Sequence, residues 1–555
     1  MPGASVKLPN EAKKREENKR EEKEKKIIMK IFKQALRLLM VPALIFTLAA
    51  CAGNTQAQQS TGGSPTPDGA SAELTTLIYG SGDYSAINPA LYEHGEINSL
   101  LFLGLTVHDK DNKVVPGLAS GWTWDSEAMA YTFTLRDGLT FHDGAPLTSA
   151  DVKFTFEAII DEANGSENIS NYEDIVSIDT PDDKTVVFTL SAPNAAMPDY
   201  LTMGILPKNL LEGKDIVEDD FNRNPVGAGP YKFVAWDMGQ SITMEKFDEF
   251  CLGKPKIDRI IFKIVEDYNA RALQLKSGEL DLAQVTPKDA EEFKSKEDFD
   301  LYAMDTADYR GIMYNFGNAF WQENPGLPAA FSYAVDREAI VRSVLLGQGQ
   351  TAYSPMQKSE YSNSNIEKYD YSPETAKIEI EALGWTMGAD GYYQKDGKQL
   401  AFAISARPSD QVRVDMANIC VQNLQDIGVN ASVEINERTD WRGQQAFLVG
   451  WGSPFDPDDH TFKVFGTDKS ANYSSYSNTR VDELLTQARS RFDKAERLPL
   501  YEEFQAELAK DPAYTFIAYI DAMYVTRKGI TGITADTVLG HHGVGIFWNV
   551  WEWSK

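Results

Sequence analysis

Two adjacent imidazoles, His541 and His542, stand in Leu539-Gly-His-His-Gly-Val-Gly545, in a chain with only six histidines. They are the feature most open to a metal reading, since neutral imidazole is a common metal ligand. Adjacent residues on a strand point to opposite faces, so one of the pair could face a cleft; the alternative is a pair of loop or core histidines. A second concentration of charge is the carboxylate set Asp456, Asp458 and Asp459, in Trp451-Gly-Ser-Pro-Phe-Asp-Pro-Asp-Asp-His460. Carboxylates there can hold a cationic amino group, or cap the helix expected to start near His460. Arg407 and Arg413, in Ser405-Ala-Arg-Pro-Ser-Asp-Gln-Val-Arg413, carry the planar fork that grips a carboxylate bidentately. Their other reading is surface ion pairing. No CxxC, HExxH, Walker A loop or GxSxG elbow occurs in the sequence, so the motif set points away from an enzyme.

These groups sit in a chain of 555 residues with 42% hydrophobic content and 27 Phe, 24 Tyr and 10 Trp. That is enough for a folded core and for two to four domains. The formal net charge is −28, and the first 50 residues carry 12 Lys/Arg against 6 Asp/Glu, leaving −34 on residues 51–555. Such a charge argues against nucleic acid and against an anionic membrane surface as direct partners of the folded part. It is compatible with cationic or zwitterionic ligands, and equally with a role in solubility alone.

Read from Met29, the N-terminal region has a basic stretch (Lys30, Lys33, Arg37) and then an apolar run from Leu38 to Ala50. Thirteen residues are too few to span a bilayer, which needs about 20, but they suit a signal peptide. The run closes on Leu48-Ala49-Ala50-Cys51, which resembles a bacterial lipoprotein signal with cleavage before Cys51 and acylation of that cysteine. More than one acyl chain makes a stable membrane anchor. Residues 1–50 are thus read as the signal region, with Met29 as a candidate start. Residues 51–73, rich in Gly, Ser, Thr, Gln and Pro, are read as lipidated cysteine plus flexible tether.

From Leu74 onward, short strand and helix signals alternate in a mixed α/β pattern. In residues 117–159, Tyr131, Phe133 and Leu135 alternate as on a half-buried strand. Asp137-Gly138 predicts a tight hairpin, with Leu139 to Phe141 returning. Thr148-Ser149-Ala150-Asp151 is a capping-box pattern opening a helix that carries Val152, Phe156, Ile159 and Ile160 on one face. Further landmarks are NPVGAGPYKF (224–233), ARALQLKSGELDLAQV (270–285), the AVDREAI helix within 330–356, SPETAKIEIEALGW (372–385) and FLVGWGSPFDPDDHTF (447–462).

In this order the landmarks resemble the peptide/nickel family of solute-binding proteins (solute-binding protein family 5). The resemblance runs from about 74 to 550. The chain departs from the pattern at Ala228, where the family more often has Thr, and before Ala330, where members often carry an Arg.

The resemblance implies an α/β, two-lobed periplasmic-binding-protein fold (type II, peptide-binding cluster) with an extra third domain. Lobe I would comprise 74–112, 225–306 and 521–555, the extra domain 113–224, and lobe II 307–520. Cys251 and Cys420 would lie in different lobes and stay free, buried thiols. The implied function is an extracytoplasmic, lipid-anchored receptor of an ABC importer. It would work as a monomer without a resident cofactor and deliver cargo to permease and ATPase subunits, on the outer face of the cell membrane or in a periplasm. Peptides are the expected cargo; the alternatives are a nickel or metal–chelator complex and a sensory lipoprotein using the same fold. For a peptide, the resemblance implies Asp456, then Asp458, as partner of the amino end. It implies Arg407, then Arg413, as partner of the carboxyl end. Trp451, Tyr84 and Asn315 would line the cleft. For a nickel chelate, His541 and His542 would help hold the metal.

Overall fold

The computed structural model describes residues 74–92 and 95–555. The signal region, Cys51 and the tether expected over 51–73 lie outside them. Among the described residues no helix is long and apolar enough to cross a membrane.

Three larger sheets organise the chain. The first has seven strands, in the order Phe299–Met304, Ala522–Arg527, Leu282–Val285, Thr76–Ser81, Arg259–Ile264, Ser241–Lys246 and Tyr231–Asp237. Thr76–Ser81 runs parallel to both of its neighbours. The second has six strands, in the order Gly349–Thr351, Tyr514–Ile520, Tyr309–Tyr314, Ala446–Trp451, Ala401–Ala406 and Asn430–Ile435. Tyr309–Tyr314 and Ala446–Trp451 read as nearly unbroken apolar runs because both faces are covered, and every residue of Tyr309–Tyr314 is buried. The third sheet, of four strands, is drawn from Ala119–Asp125, Ala130–Leu135, Thr185–Leu190 and Ile175–Asp182.

Several helix signals hold, but the expected AVDREAI helix is split: Leu327–Ala334 ends before extended Val335, and Asp336 caps a second helix, Arg337–Ser343. Ser149–Ile160 is a helix whose capping box is formed by Thr148 and Asp151, and Asp151 Oδ2 accepts from Thr148 N at 2.8 Å. Val152, Phe156 and Ile159 are fully buried, each worth roughly 1.5–3 kcal/mol of apolar burial. Helix Tyr268–Ser277 is closed by Gly278 at φ +82, where only glycine enters the left-handed region without strain.

The expected hairpin at Asp137-Gly138 is not what forms. Tyr131, Phe133 and Leu135 are buried as the alternation requires, but both edges of their strand are taken, by Ala119–Asp125 and Thr185–Leu190. Leu139–Phe141 instead folds back on residues 145–147, with Phe141 N donating to Ala145 O and Leu147 N to Leu139 O. Pairing with the preceding strand and with the distant Thr185–Leu190 outcompetes the turn signal.

The chain passes between the seven- and six-stranded sheets at two places that lie side by side. One is the segment from Met304 to Tyr309; the other is Asp521, the single residue between Tyr514–Ile520 and Ala522–Arg527. Thr306 Oγ1 donates to Ile520 O at 2.6 Å and Ile520 N donates to Asp308 O at 3.1 Å. Cys251 and Cys420 are free; Cys420 is buried and Cys251 half-buried, and burial pushes their thiols up to about 12 and about 11.

Candidate functional site

A cavity of about 580 Å3 opens between the six-stranded sheet, the segment at 166–167 and the turn at 541–542. Arg407, Arg413, Trp451, His541 and His542 all line it. Arg407 and Arg413 meet Trp451 on one wall because Ala401–Ala406 and Ala446–Trp451 are adjacent parallel strands, and the turn at 541–542 closes on that wall. Arg407 and Arg413 leave the C-terminal end of the first, and Trp451 ends the second. On that wall Trp441 stacks on Tyr473, ring centroids 4.5 Å apart.

The guanidinium groups pack directly on backbone. A Cβ on Gly450 would meet Arg310 Nη1 at 2.0 Å and Arg413 Nη2 at 2.9 Å, so any larger residue here would displace the guanidinium groups. Arg310 forms a buried ion pair with Asp308. Burial, together with Arg310, brings Arg413 down to about 10, so it stays a cation at neutral pH. Its Nη2 is buried and meets no hydrogen-bond acceptor among the described residues. A buried donor left so is costly, and a carboxylate entering the cavity would satisfy it. Arg407 is more exposed and donates from Nε to Thr439 Oγ1 at 3.0 Å.

The histidine turn is held in an uncommon conformation. His542 has φ +59 and is followed by Gly543 at +71; a left-handed non-glycine residue costs on the order of 1–3 kcal/mol. Asp308, from the crossing segment between the sheets, fixes the turn twice. Its Oδ1 lies 3.0 Å from His541 Nδ1, and its Oδ2 accepts from His542 N at 2.9 Å. Burial opposes ionisation of Asp308, but Arg310 and His541 outweigh it and hold the carboxyl far below its ordinary range. Burial lowers the His541 pKa against the opposing pull of Asp308. The His542 ring lines the cavity, is exposed to solvent there, and lies 3.8 Å from the His541 ring. Desolvation, His541 and Arg413 push it well below the usual histidine value. Both shifts favour the neutral imidazole, the form that binds a metal. One donor atom from each of Asp308, His541 and His542 lies within 4.8 Å of the others.

The acidic loop is placed differently. Asp456 is gripped bidentately by Arg497, at 2.5 and 2.7 Å, and also accepts from Asp458 N at 2.9 Å. Asp458 accepts from Arg489 Nε at 2.9 Å and from the Tyr200 hydroxyl, while Asp459 pairs with Lys463. None of the three lines the cavity. They join helix Asp458–Phe465 to residues 174, 199 and 200, since Arg489 also reaches Asp174 and Asp456 N donates to Asp199 Oδ1. Asn315 is buried and donates to Trp441 O and Gln444 O at 3.1 and 2.8 Å, bracing the wall from behind. Tyr84 packs on Gly95, whose added Cβ would fall 2.9 Å from its ring, and does not line the cavity. Sequence reasoning missed Asp308, Arg310, Arg489 and Arg497. Each acts through a partner from 2 to 315 residues away, and no local pattern marks it.

The sequence profile of the bacterial extracellular solute-binding proteins, family 5 (middle region), matches residues 113–473. The chain belongs to this family. It is 30% identical over 521 residues to the oligopeptide-binding protein AppA of Bacillus subtilis, covering 88% of this chain and 94% of that one. The structure of NikZ from Campylobacter jejuni, solved in complex with Ni(L-His), superposes with a TM-score of 0.82 at 36% identity, over 87% of this chain and all but 1% of the other. AppA in complex with a nonapeptide gives 0.79 at 28% identity, over 87% and 100%. The chain is thus a family 5 substrate-binding protein of an ABC transporter, a transport receptor rather than an enzyme, with the mixed α/β periplasmic-binding-protein fold.

Proposed function

We propose that this receptor carries a divalent transition-metal ion, nickel first, as a chelate with a small carboxylate-bearing organic molecule such as an amino acid. The observation that carries the reading is the convergence of His541, His542 and Asp308 donor atoms within 4.8 Å beside the cavity. Imidazole suits nickel, copper and zinc, and Asp308 orients the His541 ring as carboxylates do for metal-binding histidines. The unsatisfied Arg413 Nη2 beside Arg407 gives the organic part a carboxylate site. The Ni(L-His) complex of the 36% identical NikZ supports the same cargo class. Peptides, expected first from the sequence, are the second reading. The cavity volume and the likeness to AppA favour them, whereas Asp456 and Asp458 already face internal cations.

Calorimetric titration of residues 52–555 with Ni(II) alone, Ni(II) plus L-histidine, and a mixed peptide pool separates the two. Binding of nickel plus histidine, reversed by a strong chelator, is the expected result. In His542→Gly, where glycine keeps the positive φ, affinity falls by more than the roughly 10–100-fold that loss of an outer partner costs. Tight peptide binding with no response to nickel would overturn the reading.

The same proposal includes lipid anchoring at Cys51 and delivery to a permease and ATPase. Cys51→Ala is expected to release the protein from washed membranes into the soluble fraction; retention on the membrane would refute the anchor.

A further inference from the structure

The histidine turn is gripped from several directions. Besides Asp308, Gln284 Nε2 donates to His542 O at 3.2 Å, and the Tyr524 hydroxyl donates to Gly543 O at 3.0 Å. The last grip comes from Glu96, on helix Glu96–Leu101. Its Oε1 accepts from Gly545 N at 2.8 Å and Ile546 N at 3.3 Å, some 450 residues along the chain. Those amides open the 3-10 helix Ile546–Glu552. Gly545, at φ +118, can supply no side-chain cap to that helix, so Glu96 caps it from a distance.

Glu96 is an expensive residue for this place. It is only 6% exposed and sits within the apolar core beside Ile97, Leu100 and Leu101. Burial pushes its carboxyl up to about 7, although the amides of Gly545, Ile546 and Phe547 act against that shift. An aliphatic side chain would bury more favourably. What an aliphatic side chain cannot do is accept the two amides that end the turn. Only Gly543 and Val544 separate the imidazoles from Gly545, and Gly543 and Gly545 are both at positive φ, so freeing the Gly545 amide removes the grip on the C-terminal side of the turn and leaves Asp308, Gln284 and Tyr524 to hold the rest.

We propose that Glu96 is a positioning residue for cargo: by accepting the Gly545 and Ile546 amides it holds the strained His541–His542 turn in the conformation that presents both imidazoles to the metal. The proposal rests on the metal-chelate reading and adds a group that touches neither metal nor chelator.

The test uses Glu96→Gln, Glu96→Leu and Glu96→Asp in residues 52–555. Three readings are taken: thermal midpoint, amide hydrogen exchange at Gly545 and Ile546 without cargo, and affinity for Ni(II) with L-histidine. Glutamine keeps an acceptor in place, so exchange and affinity stay within about threefold of the parent, whereas the leucine variant loses about 10–100-fold in affinity, the scale for removing an outer partner of a metal ligand. Exchange at the two amides speeds up in the leucine variant while the rest of the core stays protected. Aspartate retains the acid but withdraws it by one methylene, so it follows leucine; this variant decides the matter if leucine fails to fold. Parental amide exchange in both the leucine and aspartate variants would overturn the proposal, as would parental affinity in both. Failure of the parent protein to bind nickel with histidine would refute the cargo reading instead, and the cargo-free amide exchange would still decide the role of Glu96.

Discussion

The acidic loop at 456–459 and the histidine turn at 541–542 are both dense in chemistry-bearing residues, and they have opposite fates. In the loop, each carboxylate is matched by an internal cation: Asp456 by Arg497, Asp458 by Arg489, Asp459 by Lys463. In the turn, Asp308 fixes the backbone and one ring nitrogen of His541, and the rings themselves line the cavity. Near the turn a cation, Arg413, keeps a buried donor without an acceptor. The loop cations are used up on carboxylates of the fold, whereas Arg413 pairs with Asp410 through Nε and still has Nη2 to offer to cargo. Residue type and density do not distinguish the two cases. Placement of the counter-charges does.

The sharpest way to break this contrast is to remove a partner from the loop. Asp458→Ala leaves Arg489 buried with Asp174 as its remaining close partner and takes the acceptor from the Tyr200 hydroxyl. Breaking a buried pair from one side costs about 3–5 kcal/mol, so a large drop in the urea or thermal midpoint is expected. A midpoint unchanged within error would show that the loop carboxylates are not structural. Next in size is Arg413→Met, which keeps the volume along the wall and removes the donor. A hydrogen bond to a charged group is worth roughly 1.5–3 kcal/mol. Affinity for nickel with histidine should therefore fall about 10–100-fold by calorimetry, with little change in the midpoint. Equal affinity in parent and variant would take Arg413 out of the carboxylate site.

The same contrast explains what could be read in the sequence. Class, family and helix positions were legible, since capping boxes, positive-φ glycines and apolar periodicity are local. Thr148 with Asp151, and Gly278 after its helix, are examples. The Asp137-Gly138 hairpin was misjudged because both edges of Ala130–Leu135 are taken, one by the preceding strand Ala119–Asp125 and the other by Thr185–Leu190, more than 50 residues away. At the cavity, Arg407, Arg413, Trp451, His541 and His542 were singled out from type and neighbourhood. Asp308 was not: it stands 233 residues from His541, in Thr306-Ala-Asp-Tyr-Arg310, with nothing to mark it. Arg489 and Arg497 lie on or next to amphipathic helices where an arginine reads as solvent-facing, yet both are buried. Their burial exists only because the carboxylates of another element meet them there.

The smallest expected effect sharpens the comparison most on the cargo side. Asp456→Asn keeps the shape of the side chain and one acceptor, for Arg497 Nη2 and for Asp458 N, but loses the counter-charge and the acceptor for Arg497 Nη1, so a stability loss of about 1.5–3 kcal/mol is expected with the fold retained, and it is the effect on cargo that should be small. If Asp456 is occupied by Arg497 in the loaded protein too, affinity for nickel with histidine changes by no more than about threefold, because neither the imidazoles nor Arg413 is touched. The decisive pairing uses free and N-acetylated versions of one peptide. A receptor that grips a peptide amino end through Asp456 prefers the free form, and that preference disappears in the asparagine variant. Here the Arg497 guanidinium stands in the place of the amino group, so the ratio of the two affinities should be the same in parent and variant. A ratio that collapses would mean that Arg497 yields Asp456 to cargo, and the acidic loop would then count as a binding element alongside the histidine turn.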